Sequence, residues 1–499
     1  MKNEQTNPQL GSVFKISAER LLLGSTAVFV VCVLVALIQF WPWMPTVFFG
    51  DDLSNFLAYR DHQFASSIGQ ALTGVYAEKY RPLFSLIIGG LFQLFGGHIK
   101  YYLILNILIQ AAAATLMFRI SFRLNRSVLV SLMVALAAAS SRFSLYQVTQ
   151  VTGILESVSL LLFLVMLESL ISAERQAGGF GSYRYCWIAT FYFFMAIQIH
   201  ERYIVIFAGL FLAAFAFERF QILSRAKALL IMAASVAAAL SNVLYKKLIL
   251  HSDFFVGTGG THMTIDMNRT VSQLMQSLVS IFGFNAGPEY LVAEPYSQYH
   301  TDVEWYLGWT FFICLMALIL GGVLKAGISK KSLGDKLRTL FLPTFFFVLI
   351  GLMLLPPILT IRMEQRWLVV PFYLLLLIAA WAANFIGSPI KILLMLAVTA
   401  SSISLDAYIS SRFSNLFFVS AGQFATLVKR DIIDKNPLGT YPILFIAEKS
   451  RCRWSLLGGK FFLMYAHKLR QVQCVDAGAI DYSKLQPGTR VFAVVKDSN

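Results

Sequence analysis

The chain has 499 residues, 57% of them hydrophobic and 13% charged, with a net charge of +15 and a mean hydropathy of +0.67. A soluble chain carries about a quarter charged residues, so this composition excludes a water-soluble globule and points to repeated membrane spans. The positive balance would suit nucleic acid, but the lysines and arginines stand in short connections between apolar runs. Charge placed there sets orientation, and nucleic-acid binding is set aside.

The first apolar run covers residues 21–40 and is followed by Trp41-Pro42-Trp43. A signal peptide would be shorter and would end in small residues, so this run is expected to remain as a span. Lys2, Lys15 and Arg20 precede it, which puts the N-terminus in the cytoplasm. The adjacent carboxylates of Asp51 and Asp52 then lie outside, just past the mouth of a helix. At that depth a charge meets both water and lipid headgroups. Residues 83–95 are apolar but short, and contain Gly89-Gly90. Had they crossed, Arg119, Arg123 and Arg126 would fall outside; the basic bias instead predicts a helix lying along the outer face.

Spans are predicted over 101–120, 127–139, 152–171, 186–199, 203–217, 228–248, 306–324, 340–355, 367–386 and 390–404, about eleven with the first. The alternation puts every strongly basic connection on one side, including Arg219-to-Lys227 and the run Lys325, Lys330, Lys331, Lys336 and Arg338. The fold class expected is an all-α polytopic membrane protein with interfacial helices in the first external loop, 41–97. A second long external loop covers 249–304. Its Gly257-Thr258-Gly259-Gly260 lacks the strand and lysine of a phosphate loop and reads as a hinge. The domains expected are a cytoplasmic stretch 1–20, a membrane domain 21–405 and a small extracytoplasmic α/β domain 406–499. Strand-like pieces there are 441–447, 461–465 and 490–495. Cys452 and Cys474 lie in that domain; a disulfide and a pair of structural thiols are both open.

The external turns collect a particular set of side chains: Asp51, Asp52, Arg81, His200, Glu201, Arg202, Arg362, Glu364 and Arg366. Turns this short hold charges close to the membrane surface. A carboxylate can take the proton of an acceptor hydroxyl. Arginine forks can neutralise a departing phosphate. Together they suit sugar transfer from a polyprenyl-phosphate donor by direct inverting displacement, with Asp51 or Asp52 as base and Arg81, His200, Arg202, Arg362 and Arg366 at the phosphate, supported by Glu201 and Glu364. Each group also has a plainer reading. The aspartates suit a helix cap, Arg81 a headgroup anchor, His200-Glu201-Arg202 a salt-bridged turn, and Arg362 and Arg366 snorkelling cations.

The Asp51-Asp52 pair, Tyr80-Arg81-Pro82-Leu83, Tyr101 to Asn106 (YYLILN), Gln150-Val151-Thr152-Gly153, His200-Glu201-Arg202-Tyr203 and Arg362-Met363-Glu364-Gln365-Arg366 follow one another in an order that resembles the GT-C superfamily of integral membrane glycosyltransferases. That group includes protein O-mannosyltransferases, the aminoarabinose transferase of lipid A and oligosaccharyltransferase catalytic subunits. The resemblance covers roughly residues 20–405 and departs from the pattern at His200-Glu201. It implies a polyprenyl-phosphate-linked sugar donor, a lipid, glycan or protein acceptor and one aspartate as base, while the compact basic loops and lack of long inserts point to a bacterial inner membrane. Some members use a divalent metal and others none; the carboxylates in reach of one here are Asp51, Asp52 and Glu201. Two other classes compete. A flippase for a lipid-linked saccharide would carry broken helices or mid-membrane charges, and here Glu156 and Glu168 are the main charges within the runs. A silent scaffold would keep its polar groups for topology alone.

Overall fold

The structure is a computed structural model that describes residues 18–61, 68–73, 80–176, 180–249, 251, 256–257, 261–262, 266–284, 301–328, 332–359, 363–411, 416–435, 442–476, 478–480, 483 and 485–493. Helix α1 (Ala18–Phe40) leads through a 3-10 turn to α2 (Gly50–Arg60) and α3 (Ile68–Thr73), and then to α4 (Pro82–Phe95). The bundle continues with α5 (Ile99–Asn125), α6 (Val128–Ala139), the short α7 (Leu145–Thr149), α8 (Ile154–Arg175), α9 (Phe180–Ile199), α10 (Ile206–Arg219) and α11 (Arg225–Leu244). A small antiparallel pair, β1 (Val256–Gly257) and β2 (Thr261–His262), precedes α12 (Met267–Ile281). Helices α13 (Asp302–Ile328), α14 (Leu333–Ile358), α15 (Val369–Ala383) and α16 (Ser388–Ser410) complete the bundle.

Each predicted span is helical. Among the described residues eight helices are long and apolar enough to cross a membrane, and the pair from α6 to α7, bent by 44°, would be a ninth. The two remaining predicted spans are α10, only 14 residues long, and α9, whose apolar content is diluted by Arg184, Gln198 and three tyrosines. Helix α15 is buried along its whole length. Hydrophobic on every face, it is the central post against which α5, α13 and α14 pack.

The bundle has two chemically distinct ends. At one, Arg119 and Arg123 near the end of α5 pair with Glu168 of α8 at 2.9 and 3.0 Å, and Arg338 of α14 pairs with Glu174 at 3.2 Å. These are the basic connections predicted to share a side. At the other end stand the start of α5, the α7–α8 and α9–α10 turns and the start of α15. Both ends of α4 lie here: Arg81 at its N-cap pairs with Glu201, and the Tyr102 hydroxyl in the first turn of α5 donates to Gly96 O, just past its last residue, at 2.7 Å. Helix α4 therefore lies across this end and does not span, as the basic bias predicts.

After α16 the chain forms α17 (Phe417–Leu427), β3 (Ile443–Ile446), α18 (Lys449–Leu456), α19 (Phe461–Tyr465), β4 (Val472–Val475) and β5 (Arg490–Ala493). The three strands make a parallel sheet in the order β4–β3–β5. One expectation is corrected here: residues 461–465 are helical rather than a strand. The Phe461 and Tyr465 rings, 4.7 Å apart, are an i,i+4 pair on one helix face. The strand falls at Val472–Val475, a segment with no clear alternation. Cys452 and Cys474 form a disulfide that ties α18 to β4. The core of this region is continuous with the first external loop, since Phe48, Phe49, Leu53 and Phe56 share one cluster with Ile443, Phe445, Leu456, Phe461 and Phe462.

Candidate active site

Helix α2 begins at Gly50, and its N-cap residue Phe49 makes no side-chain cap bond. The aspartates therefore do not cap the helix. They occupy its first turn, where the positive end of the helix dipole favours a carboxylate. Asp51 is exposed and Asp52 fully buried. The Asp52 carboxylate accepts the N–H groups of Val151 and Thr152 at 2.7 and 2.8 Å and the Thr152 hydroxyl at 2.7 Å. Burial pushes this carboxyl up to about 6, against those three hydrogen bonds. Asp52 is thus the anchor that fixes the α7–α8 turn to α2.

From that anchor a short chain of contacts reaches the arginines. Thr152 Oγ1 lies 3.2 Å from the Tyr146 hydroxyl, and the guanidinium of Arg366 sits 4.4 Å above the Tyr146 ring. Arg366 Nε pairs with Glu364 at 2.6 Å and approaches Glu156 at 3.5 Å. Glu156, buried in the first turn of α8, is the hub. Its two oxygens meet Arg202 Nη2 at 2.7 Å and His200 Nε2 at 3.1 Å. His200 Nδ1 accepts the backbone N–H of Arg202 at 3.3 Å, so Nε2 carries the proton and donates to Glu156. Burial holds the imidazole down to about 4, against the pull of Glu156, and it is neutral at ordinary pH. Arg81 grips Glu201 with both arms of its fork, at 2.5 and 2.6 Å.

One cation in this network is half satisfied. Arg202 spends Nη2 on Glu156, while its buried Nε and Nη1 have no hydrogen-bond partner among the described residues. The neighbouring Tyr203 hydroxyl is the acceptor at hand for these two buried guanidinium nitrogens, and donors it does not satisfy are costly unless an anion completes them. The Tyr203 and Trp367 rings, 5.7 and 5.9 Å from Arg202 Cζ, wall the site. Beside it the Tyr80 ring stacks on Tyr245 at 4.2 Å, which brings the π-helical turn Tyr245–Ile249, with Lys246 and Lys247, next to the Arg81 segment.

The structure thus joins Asp52, Arg81, His200, Glu201, Arg202, Glu364 and Arg366 in one network at one end of the bundle, with Asp51 beside it. Arg362 lies outside the described residues. The charged pairs of His200-Glu201-Arg202 are made outside the triplet, Glu201 with Arg81 and Arg202 with Glu156, while the neutral His200 ring lies 3.7 Å from Glu201 and links the two pairs. Among the described residues no three His, Cys, Asp or Glu side chains gather as metal ligands. Of the carboxylates in reach of a divalent metal, Asp52 is taken by Val151 and Thr152 and Glu201 by Arg81, and Asp51 alone does not make a ligand set, so these residues do not fit one. Sequence reasoning missed Glu156, Thr152 and Tyr146 as members. The signal for Glu156 was present, because a carboxylate within an apolar run marks a functional site by default. A cleft of about 340 Å³ borders the first loop, lined among others by Trp43, Phe49, Gln150, Gln423 and Thr426.

These features define a multi-pass membrane protein with a buried, charged site at one end of its helical bundle. No protein-family model matches the chain and no curated protein matches it. Solved structures with a similar fold include the oligosaccharyltransferase of Archaeoglobus fulgidus tethered with an acceptor peptide, at 11% identity and a TM-score of 0.45 over 90% of this chain and 64% of that one. The ArnT of Cupriavidus metallidurans bound to undecaprenyl phosphate is similar at 9% identity and a TM-score of 0.43, over 92% and 90% of the two chains. The chain spans less than two thirds of the length of the archaeal protein. The likeness is remote, and the roles of the residues above rest on their own geometry.

Proposed function

We propose that the protein is a membrane glycosyltransferase of the GT-C type that moves a sugar from a polyprenyl-phosphate donor to an extracytoplasmic hydroxyl acceptor. The observation that carries this reading is the half-vacant Arg202 fork, buried within one network of the Asp52 anchor. The disulfide supports an oxidising compartment for the site's end of the bundle, and the basic residues at the opposite end support a cytoplasmic side there. The same arrangement supports a cytoplasmic N-terminus and an extracytoplasmic domain over 406–499, and the compact basic loops suit a bacterial inner membrane.

In this mechanism the donor phosphate completes Arg202 beside Arg366, with Arg81 nearby. Asp51, exposed beside the Asp52 anchor, takes the proton of the acceptor hydroxyl. The acceptor oxygen attacks the anomeric carbon from the face opposite the phosphate. The bond from that carbon to the phosphate oxygen breaks, and the electron pair leaves with the phosphate, whose charge the guanidinium groups stabilise. The anomeric centre inverts. The cleft beside Phe49 and Gln150 supports an approach for the acceptor.

The test compares Asp51→Asn with the parent protein in lipid nanodiscs. Transfer is expected to fall by a factor of about 100 or more, the usual worth of a general base, while binding of a polyprenyl phosphate is unchanged. Full transfer by this variant would remove Asp51 as the base.

A further inference from the structure

The C-terminal domain does more than sit above the bundle. The Phe48 N–H donates to the Tyr465 hydroxyl at 2.6 Å. The Phe49 ring meets the Trp454 indole edge-on at 5.4 Å. Gly50 has φ +51°, a left-handed conformation that favours glycine, and a Cβ there would stand 2.5 Å from Trp454 Cζ2. A Cβ at Gly422 of α17 would likewise meet the Phe49 ring at 2.9 Å. Three consecutive residues immediately before Asp51 are therefore held from above, by one hydrogen bond, one ring contact and one close backbone approach. Trp454 lies two residues from Cys452, whose disulfide fixes α18 to the sheet.

We propose that Trp454 and Tyr465 are positioning residues for Asp51, holding residues 48–50 in the one backbone path that delivers the first turn of α2 to Val151 and Thr152. This rests on the reading of Asp51 as the base. The aspartates sit at the start of a helix that has no side-chain cap of its own. On the bundle side the Phe48 ring stacks on Phe56 at 4.9 Å and meets Tyr102 of α5 at 5.7 Å, so the domain supplies the second of two grips on residues 48–50. Asp52 pins the far side of the same turn. The grips and this pin together set where the Asp51 carboxylate points, and a displacement of about 1 Å at a reacting group costs on the order of 100-fold in rate.

The experiment uses full-length protein in nanodiscs and the variants Tyr465→Phe, Trp454→Ala and Trp454→Phe. Tyr465→Phe removes one oxygen and keeps the ring, so it remains informative if Trp454→Ala folds poorly. Amide hydrogen exchange of residues 48–53 and 150–153, transfer kinetics and polyprenyl-phosphate binding are read in parallel. Faster exchange in both segments is expected, with kcat lowered by up to about 100-fold in Trp454→Ala, donor affinity unchanged, and most of the rate restored in Trp454→Phe. Unchanged exchange in Tyr465→Phe and Trp454→Ala would overturn the inference, as would a rate loss matched by an equal loss of donor affinity. Faster exchange with undiminished turnover would likewise overturn the positioning role, whereas full transfer by Asp51→Asn would overturn the reading of Asp51 as base.

Discussion

Two buried titratable groups in the site respond to acid in opposite senses. The folded-state pKa of His200 is depressed from 6.5 to about 4, mainly by burial. As pH falls below 6.5 the unfolded chain takes up a proton that the folded chain refuses, so stability drops across the window from 6.5 to 4. Asp52 is raised from 3.8 to about 6, again mainly by burial. Its folded form binds the proton first, so it favours the fold below 3.8 and that contribution is lost as pH rises through 6. The two effects overlap, and a substitution separates them. His200→Gln is expected to lose less thermal stability than the parent between pH 7 and pH 4.5, measured by thermal melts in detergent. Equal losses in both proteins would show that His200 is not held neutral. The His200-Glu201-Arg202 triplet was visible in the sequence as a charged turn. That its imidazole is neutral was not, because the cause is burial against Glu156, a residue 44 positions away in the chain.

Helices supply the second lesson. The break between α6 and α7 places Arg142 in a fully enclosed position, paired with Asp406 of α16 at 2.8 Å and donating to Ser280 O of α12 at 2.7 Å. One side chain thus ties the bent span, the last span and the helix of the second external loop. Removing one partner of such a pair leaves a buried charge, at a cost of about 3–5 kcal/mol. Asp406→Leu is expected to lower stability by that amount, and the double variant Arg142→Met with Asp406→Leu to recover much of it, read from denaturation of the purified protein. A double variant no better than the single would contradict the buried-pair account. The apolar periods and basic connections made the helices themselves legible, and the fate of α4 followed from Arg119, Arg123 and Arg126. The pairing of Arg142 with Asp406 was not legible, because two charges 264 residues apart give no local signal. The helical state of 461–465 was also missed, since a short apolar run reads equally as strand or helix until its packing partners are known.

Over the whole molecule, the order of short external turns sufficed to foresee that Asp51, Asp52, Arg81, His200, Arg202 and Arg366 would meet at one end. Alternating spans leave few other places for them. What could not be foreseen is how the end is built: Glu156 rises from within a span to gather the cations, and the C-terminal domain folds its core into the first loop through Phe48 and Phe49. Both depend on contacts across the chain that no local pattern encodes. The central claim is that a donor phosphate occupies the open side of Arg202, and the most direct measurement is a cryo-EM map of the protein in nanodiscs with a bound polyprenyl phosphate. The account predicts phosphate density within hydrogen-bond distance of Arg202 Nε or Nη1. Phosphate density at the opposite end, beside Arg119 and Arg338, would contradict it.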